Sequence, residues 1–189
     1  MNKILQFKIT LKNTEPKIWR RFLVPENINF YELHLIIQNI MGWYNSHLYQ
    51  FVYNNNMNLI GDPELLEQED VMDAKKFHVK DYFNEQKKKI EYEYDFGDGW
   101  THELIFEKAI EEEYGKYYPV CLEGEGNCPP EDCGGVGGFD NLVEAMKKKK
   151  GKEYKEYKEW LGEDYNSAEF DLEYINESLK TYKSVDWSD

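Results

Sequence analysis

The stretch IEYEYDFGDGWTHELIFE, residues 90–107, decides the fold, because it predicts two β-strands joined by a tight turn. Residues 90–96 and 100–107 each have the composition and alternation of a strand. Between them, Gly97-Asp98-Gly99 supplies residues that accept the positive φ angles of a hairpin turn. We therefore expect an antiparallel β-hairpin here.

The N-terminal part of the chain predicts two more strands. Residues 5–11 alternate strictly between apolar and polar side chains, which is the period of a strand with one buried face and one solvent face. Residues 18–24 form a second strand-like run that ends at Pro25. The turn residues at 13–16 lie between the two runs, so the second strand is expected to pair back on the first.

A helix and a third strand follow. Asn29 and Glu32 have the spacing of a capping box, and the apolar residues up to position 41 share one helical stripe that stops at Gly42. Residues 49–53 alternate as a strand, and the three asparagines at 54–56 predict a turn after it. The acidic stretch 62–73 has no clear period and is expected to be a loop.

The C-terminal part predicts a long loop and three helices. Residues 114–138 contain the cysteines, a Pro-Pro pair and a run of glycines, and they predict an elaborate Cys/Pro/Gly loop. Helical periodicity follows in residues 139–150, 154–161 and 174–179. The expected fold class is α+β: a largely antiparallel sheet packed against the helix near residues 29–41 and the C-terminal helices, as a single domain over 1–189.

Charge and composition exclude several classes of protein. The formal net charge of −14 repels phosphate backbones and anionic lipid, so broad nucleic-acid binding is disfavoured. No stretch has the apolar length of a membrane span, and the N-terminus does not have the pattern of a signal peptide. Three cysteines without an export signal are typical of reduced thiols, so the expected location is cytoplasmic.

Six segments, taken in order along the chain, resemble one family. They are KIWRRFLVP (17–25), ELH (32–34), MGWYNSHLYQF (41–51), YEYDFGDGWTHEL (92–104), YPVCLEGEGNCPPEDCGG (118–135) and EFDLEYIN (169–176). Together they resemble the plasmid Ri ORF-three-like family, some members of which are labelled passenger, resolvase-like proteins of insertion elements. Serine recombination requires a nucleophilic serine and an arginine cluster. This chain has only Arg20 and Arg21, which point to opposite faces of one strand, so recombinase chemistry is not supported.

The first candidate site lies at the hairpin. Asp95, Asp98 and His102 bring carboxylates and an imidazole close to one turn. Glu131 or Asp132 would complete a set able to hold a divalent metal ion and activate a water molecule. That set predicts a metal-dependent hydrolase or nuclease. In the structural alternative, Asp98 serves the turn and His102 packs against an aromatic hydroxyl.

A second candidate site is formed by the cysteines. Cys121, Cys128 and Cys133, together with His102, would make a Cys₃His zinc site if the loop folds over the hairpin. The six and four residues between the cysteines fit the usual knuckle spacing poorly. The alternative is three free thiols. Zinc is therefore the one cofactor considered, and the sequence predicts no cofactor outright.

Two further segments admit a binding role. The glycines at 134–138 feed a helix and would cradle an anion through backbone N–H groups, or else form a rigid loop that closes one end of the sheet. The lysines at 147–158, with interleaved aromatic rings, would make a DNA-binding accessory surface. The glutamates among those lysines favour a solvated helix face instead.

Aromatic residues complete the set of candidates. Trp43, His47, Tyr49 and Trp100 are expected to line a ligand-binding cleft if the sheet leaves one. The leading interpretation is a non-enzymatic accessory or binding protein with a protein or small-molecule partner, associated through the family resemblance with plasmids or insertion elements. The metal-dependent hydrolase and the DNA-binding accessory are the alternatives.

Overall fold

In the computed structural model, which describes residues 3–53, 58–67, 70–84, 87–162 and 165–184, the predicted hairpin lies in the middle of an eight-stranded sheet. The strands are β1 (Lys3–Leu11), β2 (Ile18–Pro25), β3 (Tyr49–Tyr53), β4 (Asn58–Gly61), β5 (Met72–Asp73), β6 (Lys89–Tyr94), β7 (Trp100–Glu111) and β8 (Val120–Glu125). Their spatial order is β5-β4-β3-β6-β7-β1-β2-β8. Every neighbouring pair is antiparallel except β4 and β5. The predicted α+β class with a largely antiparallel sheet is confirmed.

Strand β1 shows why the alternation in sequence was informative. Its odd-numbered residues from Leu5 to Leu11 are buried, and the even-numbered residues between them are only partly covered. Phe7 lies opposite Phe22 of β2 and Phe106 of β7, and all three rings belong to the core. The predicted pairing of the first two strands is confirmed, as is the hairpin, in which Tyr94 pairs with Trp100.

Five α-helices and one short 3₁₀ helix, Val79–Asp81, accompany the sheet in the described residues. The α-helices are α1 (Phe30–Met41), α2 (Pro63–Leu66), α3 (Gly135–Lys148), α4 (Lys152–Leu161) and α5 (Leu172–Leu179). Helix α1 begins with the predicted capping box between Asn29 and Glu32 and ends at Gly42, whose φ is 88°. The ring of Phe30, the first residue of the helix, packs edge-on against Phe51 of β3, with ring centroids 5.0 Å apart. No helix in the described ranges has the length and apolar character that crossing a bilayer requires.

The acidic stretch 62–73 differs from the expected loop, because it contains α2 and β5. Asp62 caps α2 by accepting hydrogen bonds from the backbone N–H groups of Glu64 and Leu65. Both elements are too short to produce a period in the sequence. The asparagine turn predicted at 54–56 lies outside the described residues.

The segment 114–138 is also more ordered than a long loop. Strand β8 occupies part of it and pairs with β2, and α3 begins at Gly135 rather than at position 139. One side chain pairs with the outer edge of β8 at Cys121: Asn176 Oδ1 accepts from Cys121 N–H at 2.8 Å, and Asn176 Nδ2 donates to Cys121 O at 3.0 Å. An amide that imitates a neighbouring strand protects a sheet edge from further pairing.

Candidate metal centre

Three side chains from distant parts of the sequence meet beside the hairpin turn. His47, Asp95 and Glu131 each offer one ligand atom, and these atoms lie within 4.8 Å of one another. His47 Nε2 is 3.7 Å from Asp95 Oδ2 and 3.5 Å from Glu131 Oε2. The exposed carboxylate of Asp132 adds a fourth group, with Oδ1 3.3 Å from His47 Nε2. We call these four residues the His47 cluster.

The hairpin turn fixes Asp95. Its backbone is left-handed, with φ of 55°, and its side chain is mostly buried. Oδ1 accepts hydrogen bonds from the N–H groups of Gly97 at 3.0 Å and Asp98 at 3.3 Å. The Asp95 N–H donates to Leu48 O at 2.9 Å, which ties the turn to the segment that carries His47. One carboxylate oxygen therefore organises the turn, and Oδ2 remains to face His47.

Glu131 is held in a similar way through one oxygen. Its Oε1 accepts from the Tyr44 N–H and from the Tyr94 hydroxyl, both at 2.9 Å. Its Oε2 is buried and has no hydrogen-bond partner among the described residues. Burial raises the pKa of this carboxyl group, and the hydrogen bonds from Tyr44 and Tyr94 oppose that shift. A buried carboxylate oxygen without a partner is costly, so Oε2 calls for a proton or a cation.

His47 has the complementary deficiency. Its Nε2 is buried and likewise lacks a hydrogen-bond partner within the described part of the chain. The separations of 3.3 to 3.7 Å from Nε2 to the three carboxylate oxygens are too long for hydrogen bonds of ordinary strength. Ligand atoms about 2.1 Å from a tetrahedral metal ion lie about 3.4 Å apart. The three separations from His47 Nε2 to the carboxylate oxygens are therefore close to the edge of a metal coordination shell.

Tyr94, the last residue of β6, links the segments of the site. Its hydroxyl donates to Glu131 Oε1 and accepts from the Ser46 N–H at 3.1 Å. Burial, with the charge of Glu131, raises the pKa of Tyr94, so the hydroxyl stays protonated and keeps donating. In metal sites, such outer contacts fix the orientation of the ligands.

Arg20 anchors the two loops that carry His47 and Glu131. It is 3% exposed, and its guanidinium donates to Ile40 O at the end of α1, and to Glu125 O and Gly126 O at the end of β8. The ring of Phe170 covers the guanidinium carbon at 4.7 Å. The loops that follow α1 and β8 therefore leave from fixed positions.

A cleft of about 540 Å³ opens beside the His47 cluster. His47 and Tyr49 form part of its wall, together with Tyr31, Asp62 and Lys75. The Tyr49 ring stacks on the buried imidazole of His34, with centroids 3.5 Å apart and planes 5° from parallel. Burial, with the charge of Asp62, raises the pKa of the Tyr49 hydroxyl.

The residues predicted for the hairpin site are divided by the structure. Asp95, Glu131 and Asp132 come together, whereas Asp98 and His102 lie elsewhere. Asp98 Oδ2 accepts from the Gly134 N–H at 3.1 Å, just before α3. His102 is fully buried on the core face of β7, where burial lowers its pKa to about 3. Residues 100, 102, 104 and 106 share the buried face of β7, and the packing of the sheet makes that face the core.

The glycine run, predicted as an anion cradle or as a rigid loop, contacts a carboxylate of the protein at its first residue. The carboxylate of Asp98 already accepts from the Gly134 N–H. The glycine at 138 serves packing instead, because a Cβ there would lie 1.8 Å from Cys133 O.

The cysteines are three separate buried thiols rather than a cluster. None belongs to a group of metal-ligating atoms among the residues described, and all three are free. Burial raises the pKa of Cys121 to about 11 and that of Cys133 to about 12. Thiols in such surroundings are protonated and unreactive at neutral pH.

The lysine segment 147–158 extends from the end of α3 into α4, and two of its lysines are paired with acids. Lys148 contacts Glu144 at 2.6 Å and Lys152 contacts Glu156 at 3.2 Å, both across one helical turn. Among its described residues, α4 contributes no fully buried side chain, and Trp160 is 49% exposed. The interleaved glutamates reduce the positive charge of this surface.

The structure places two of the four residues predicted to line a ligand-binding cleft in the cleft wall. His47 and Tyr49 line it, whereas Trp43 and Trp100 are buried in the core. Trp43 Nε1 donates to Pro129 O at 3.0 Å and so supports the loop that carries Glu131. The contributions of Asp62 and Lys75 were missed, because Asp62 lies in the acidic stretch 62–73, which has no clear period, and Lys75 lies just beyond it.

Comparison with known proteins agrees with the fold. The family model described as "Plasmid pRiA4b ORF-3-like protein" matches residues 3–174. The uncharacterized protein y4hQ of Sinorhizobium fredii (strain NBRC 101917 / NGR234) is 34% identical over 178 residues, covering 93% of this chain and 90% of that protein. The crystal structure of MM3350, a protein of unknown function from Methanosarcina mazei Go1, has a TM-score of 0.83 and 36% identity, covering 91% of this chain and 97% of that one. Neither description states an activity.

Proposed function

The chain belongs to the plasmid pRiA4b ORF-3-like family, and because the two similar proteins have no stated activity, we propose from the site itself that it binds a divalent metal ion through His47, Asp95 and Glu131. The observation that carries the proposal is the pair of buried atoms, His47 Nε2 and Glu131 Oε2. They face each other at 3.5 Å, and neither has a hydrogen-bond partner in the described ranges. A cation between them satisfies both atoms at once.

The ligand types indicate which ions fit. One imidazole and two carboxylates, with Asp132 at the exposed side, suit Mn²⁺, Fe²⁺ or Zn²⁺. The buried thiols lie outside the His47 cluster, so soft ions such as Cu⁺ are disfavoured. In this proposal the protein is a cytoplasmic binding protein whose ligand is, in the first place, a metal ion.

A second candidate function is metal-dependent hydrolysis. The observation in its favour is that His47 belongs both to the cluster and to the wall of the open cleft. A metal ion held by three protein ligands keeps a coordination position for water, lowers the pKa of that water and supplies a nucleophile at neutral pH. His47, Asp95 and Glu131 would hold the ion, and the cleft would admit the substrate.

The test is Mn²⁺ binding to protein stripped with EDTA and then freed of chelator, followed by electron paramagnetic resonance and calorimetry. Mn²⁺ is the probe because it binds oxygen and nitrogen ligands in preference to thiols. We expect one equivalent to bind. At 100 times the dissociation constant, the ion should add about 2.7 kcal/mol to the free energy of unfolding, a rise in Tm of roughly 5 to 10 °C.

Two variants sharpen the test. Glu131→Gln keeps the acceptor for Tyr44 and Tyr94 and puts an amide N–H₂ opposite His47 Nε2, so the metal-free protein should fold as well as the parent. Its affinity for Mn²⁺ should fall at least about 100-fold. Asp98→Asn is the matched control, because it changes a carboxylate in the same turn outside the cluster and keeps an acceptor for Gly134. Two results would refute the proposal. One is equal binding of Mn²⁺ by the parent and by Glu131→Gln. The other is no binding by the parent at 1 mM Mn²⁺, which is about the dissociation constant of the weakest specific sites.

A further inference from the structure

The cleft contains a second buried polar atom that the metal proposal does not use. Tyr49 lines the cleft and is only 6% exposed. Its hydroxyl is buried and finds no hydrogen-bond partner among the residues that the structure describes. A phenol is protonated at neutral pH and is a strong hydrogen-bond donor. Because leaving such a group unpaired is costly, its position in a cleft wall points to an acceptor supplied by a ligand.

Lys75 supplies a second donor in the same wall. Its Nζ lies 3.6 Å from Asp62 Oδ2 and 5.1 Å from the centre of the Tyr31 ring, and its side chain is 59% exposed. That contact with Asp62 is longer than a hydrogen bond. The ammonium group is therefore free to turn its three N–H donors toward a bound molecule.

Asp62 has less to offer a ligand. Its Oδ1 already accepts from the N–H groups of Glu64 and Leu65, and its Oδ2 faces the Lys75 ammonium. Among Tyr49, Asp62 and Lys75, the Tyr49 hydroxyl and the three N–H donors of Lys75 outnumber the one unfilled carboxylate oxygen of Asp62, which favours a ligand with acceptor oxygens over one with an ammonium group.

Apolar surface lies beside these donors. Tyr31 and Leu65 line the cleft, and Leu65 is 62% exposed. An exposed leucine and an aromatic ring in one cleft offer a surface for the apolar body of a small molecule. The volume of about 540 Å³ is within the range of small-molecule sites.

We propose that this cleft binds a small organic anion with an apolar body, a carboxylate or a phosphate ester, whose oxygens accept hydrogen bonds from Tyr49 and Lys75. At the opposite end, where His47 joins the cleft to the metal centre, the inference rests on the proposed function. There the metal ion would attract a second oxygen of the same ligand. The Tyr49 and Lys75 end is independent of the metal.

The experiment measures binding of benzoate and of phenyl phosphate in EDTA, by calorimetry and by saturation-transfer NMR. The calorimetry is then repeated with Mn²⁺. Benzyl alcohol and benzylammonium are the neutral and cationic comparisons. We expect one of the two anions to bind in EDTA and the two comparisons to bind at least about tenfold more weakly, since they lack the charge-assisted hydrogen bonds. The tighter of benzoate and phenyl phosphate identifies the anionic group. Equal binding of benzyl alcohol and the anions would overturn the inference.

Tyr49→Phe is the decisive variant. It removes only the hydroxyl and keeps the ring that stacks on His34, and because that hydroxyl has no partner in the described structure, folding should be unimpaired or improved. Binding of the anion should weaken about tenfold, as it should in Lys75→Met. Lys76→Met is the matched control, since Lys76 pairs with Asp73 and does not line the cleft. Unchanged affinity in Tyr49→Phe would refute the inference.

The two proposals fail in different ways. Anion binding in EDTA that depends on Tyr49, without any binding of Mn²⁺, would leave the cleft established and remove the metal centre. Binding of Mn²⁺ that depends on Glu131, without any binding of either anion, would do the reverse.

Discussion

Two buried histidines make the stability of this protein sensitive to mild acid. His34 and His102 are both fully buried, and burial lowers the pKa of each to about 3. His34 is held neutral between the Tyr92 hydroxyl and the Asn45 side chain, whereas His102 Nδ1 lies 3.2 Å from Tyr92 O. In the unfolded chain both imidazoles have a pKa of about 6.5.

The sign and size of the effect follow from this difference. Well above pH 6.5 both states are neutral and the histidines contribute no pH dependence. As the pH falls from about 6.5 toward 3, the unfolded chain takes up protons that the folded protein refuses, so the free energy of unfolding falls. Between pH 7.5 and pH 5.5 each histidine should remove about 1.4 kcal/mol, and the two together about 2.7 kcal/mol.

The assay is urea unfolding at these two pH values in the presence of EDTA, which excludes any metal effect. The lower value stays above the isoelectric point of about 4.8, where the protein is least soluble. Carboxylates also contribute to the pH dependence, so the test compares the parent with His102→Gln. The fall in free energy between the two pH values should be about 1.4 kcal/mol smaller in the variant.

Two results would refute the reasoning. One is an equal fall in the parent and in His102→Gln. The other is an imidazole C2 proton of His34 or His102 that titrates by NMR above pH 5 in the folded protein, because burial would then not exclude the charged form. The NMR measurement uses the parent protein and so does not depend on the folding of a variant.

Three further predictions concern the contacts that build the frame. Asn176→Ala removes both hydrogen bonds to the β8 edge and should lower the free energy of unfolding by about 1 to 3 kcal/mol, measured by urea unfolding; no change would show that water replaces the amide. Arg20→Met leaves buried carbonyl groups without their donor and should lower the free energy of unfolding by at least about 3 kcal/mol in the same assay. A loss below about 1 kcal/mol would contradict the anchoring role. The thiols of Cys121, Cys128 and Cys133 should react with Ellman's reagent at pH 8 at least about 100-fold more slowly in the folded protein than in urea, because all three are buried; equal rates would refute that burial.

Local sequence patterns determined the long, regular elements. The alternation in β1, the glycine-containing turn between β6 and β7, and the capping box of α1 each reside in a few consecutive residues, so their signals do not depend on a partner. The segments misjudged as irregular were β8, α2 and β5. The elements α2 and β5 are short, and β8 and β5 are strands only because β2 and β4 lie beside them.

The site was only partly accessible to the same reasoning. Asp95, Glu131 and Asp132 were identified by residue type and by their position in loops, but the imidazole was assigned to His102, which is nearest to Asp95 along the chain. Alternation shows that His102 and its immediate neighbours in the strand face opposite sides of the sheet. Only the packing of the sheet decides which of those sides is the core. The structure buries His102 and brings His47 to Asp95 through the pairing of β3 with β6. Such pairing depends on the hydrogen bonds and buried surface of the whole sheet, and no short stretch of sequence records it.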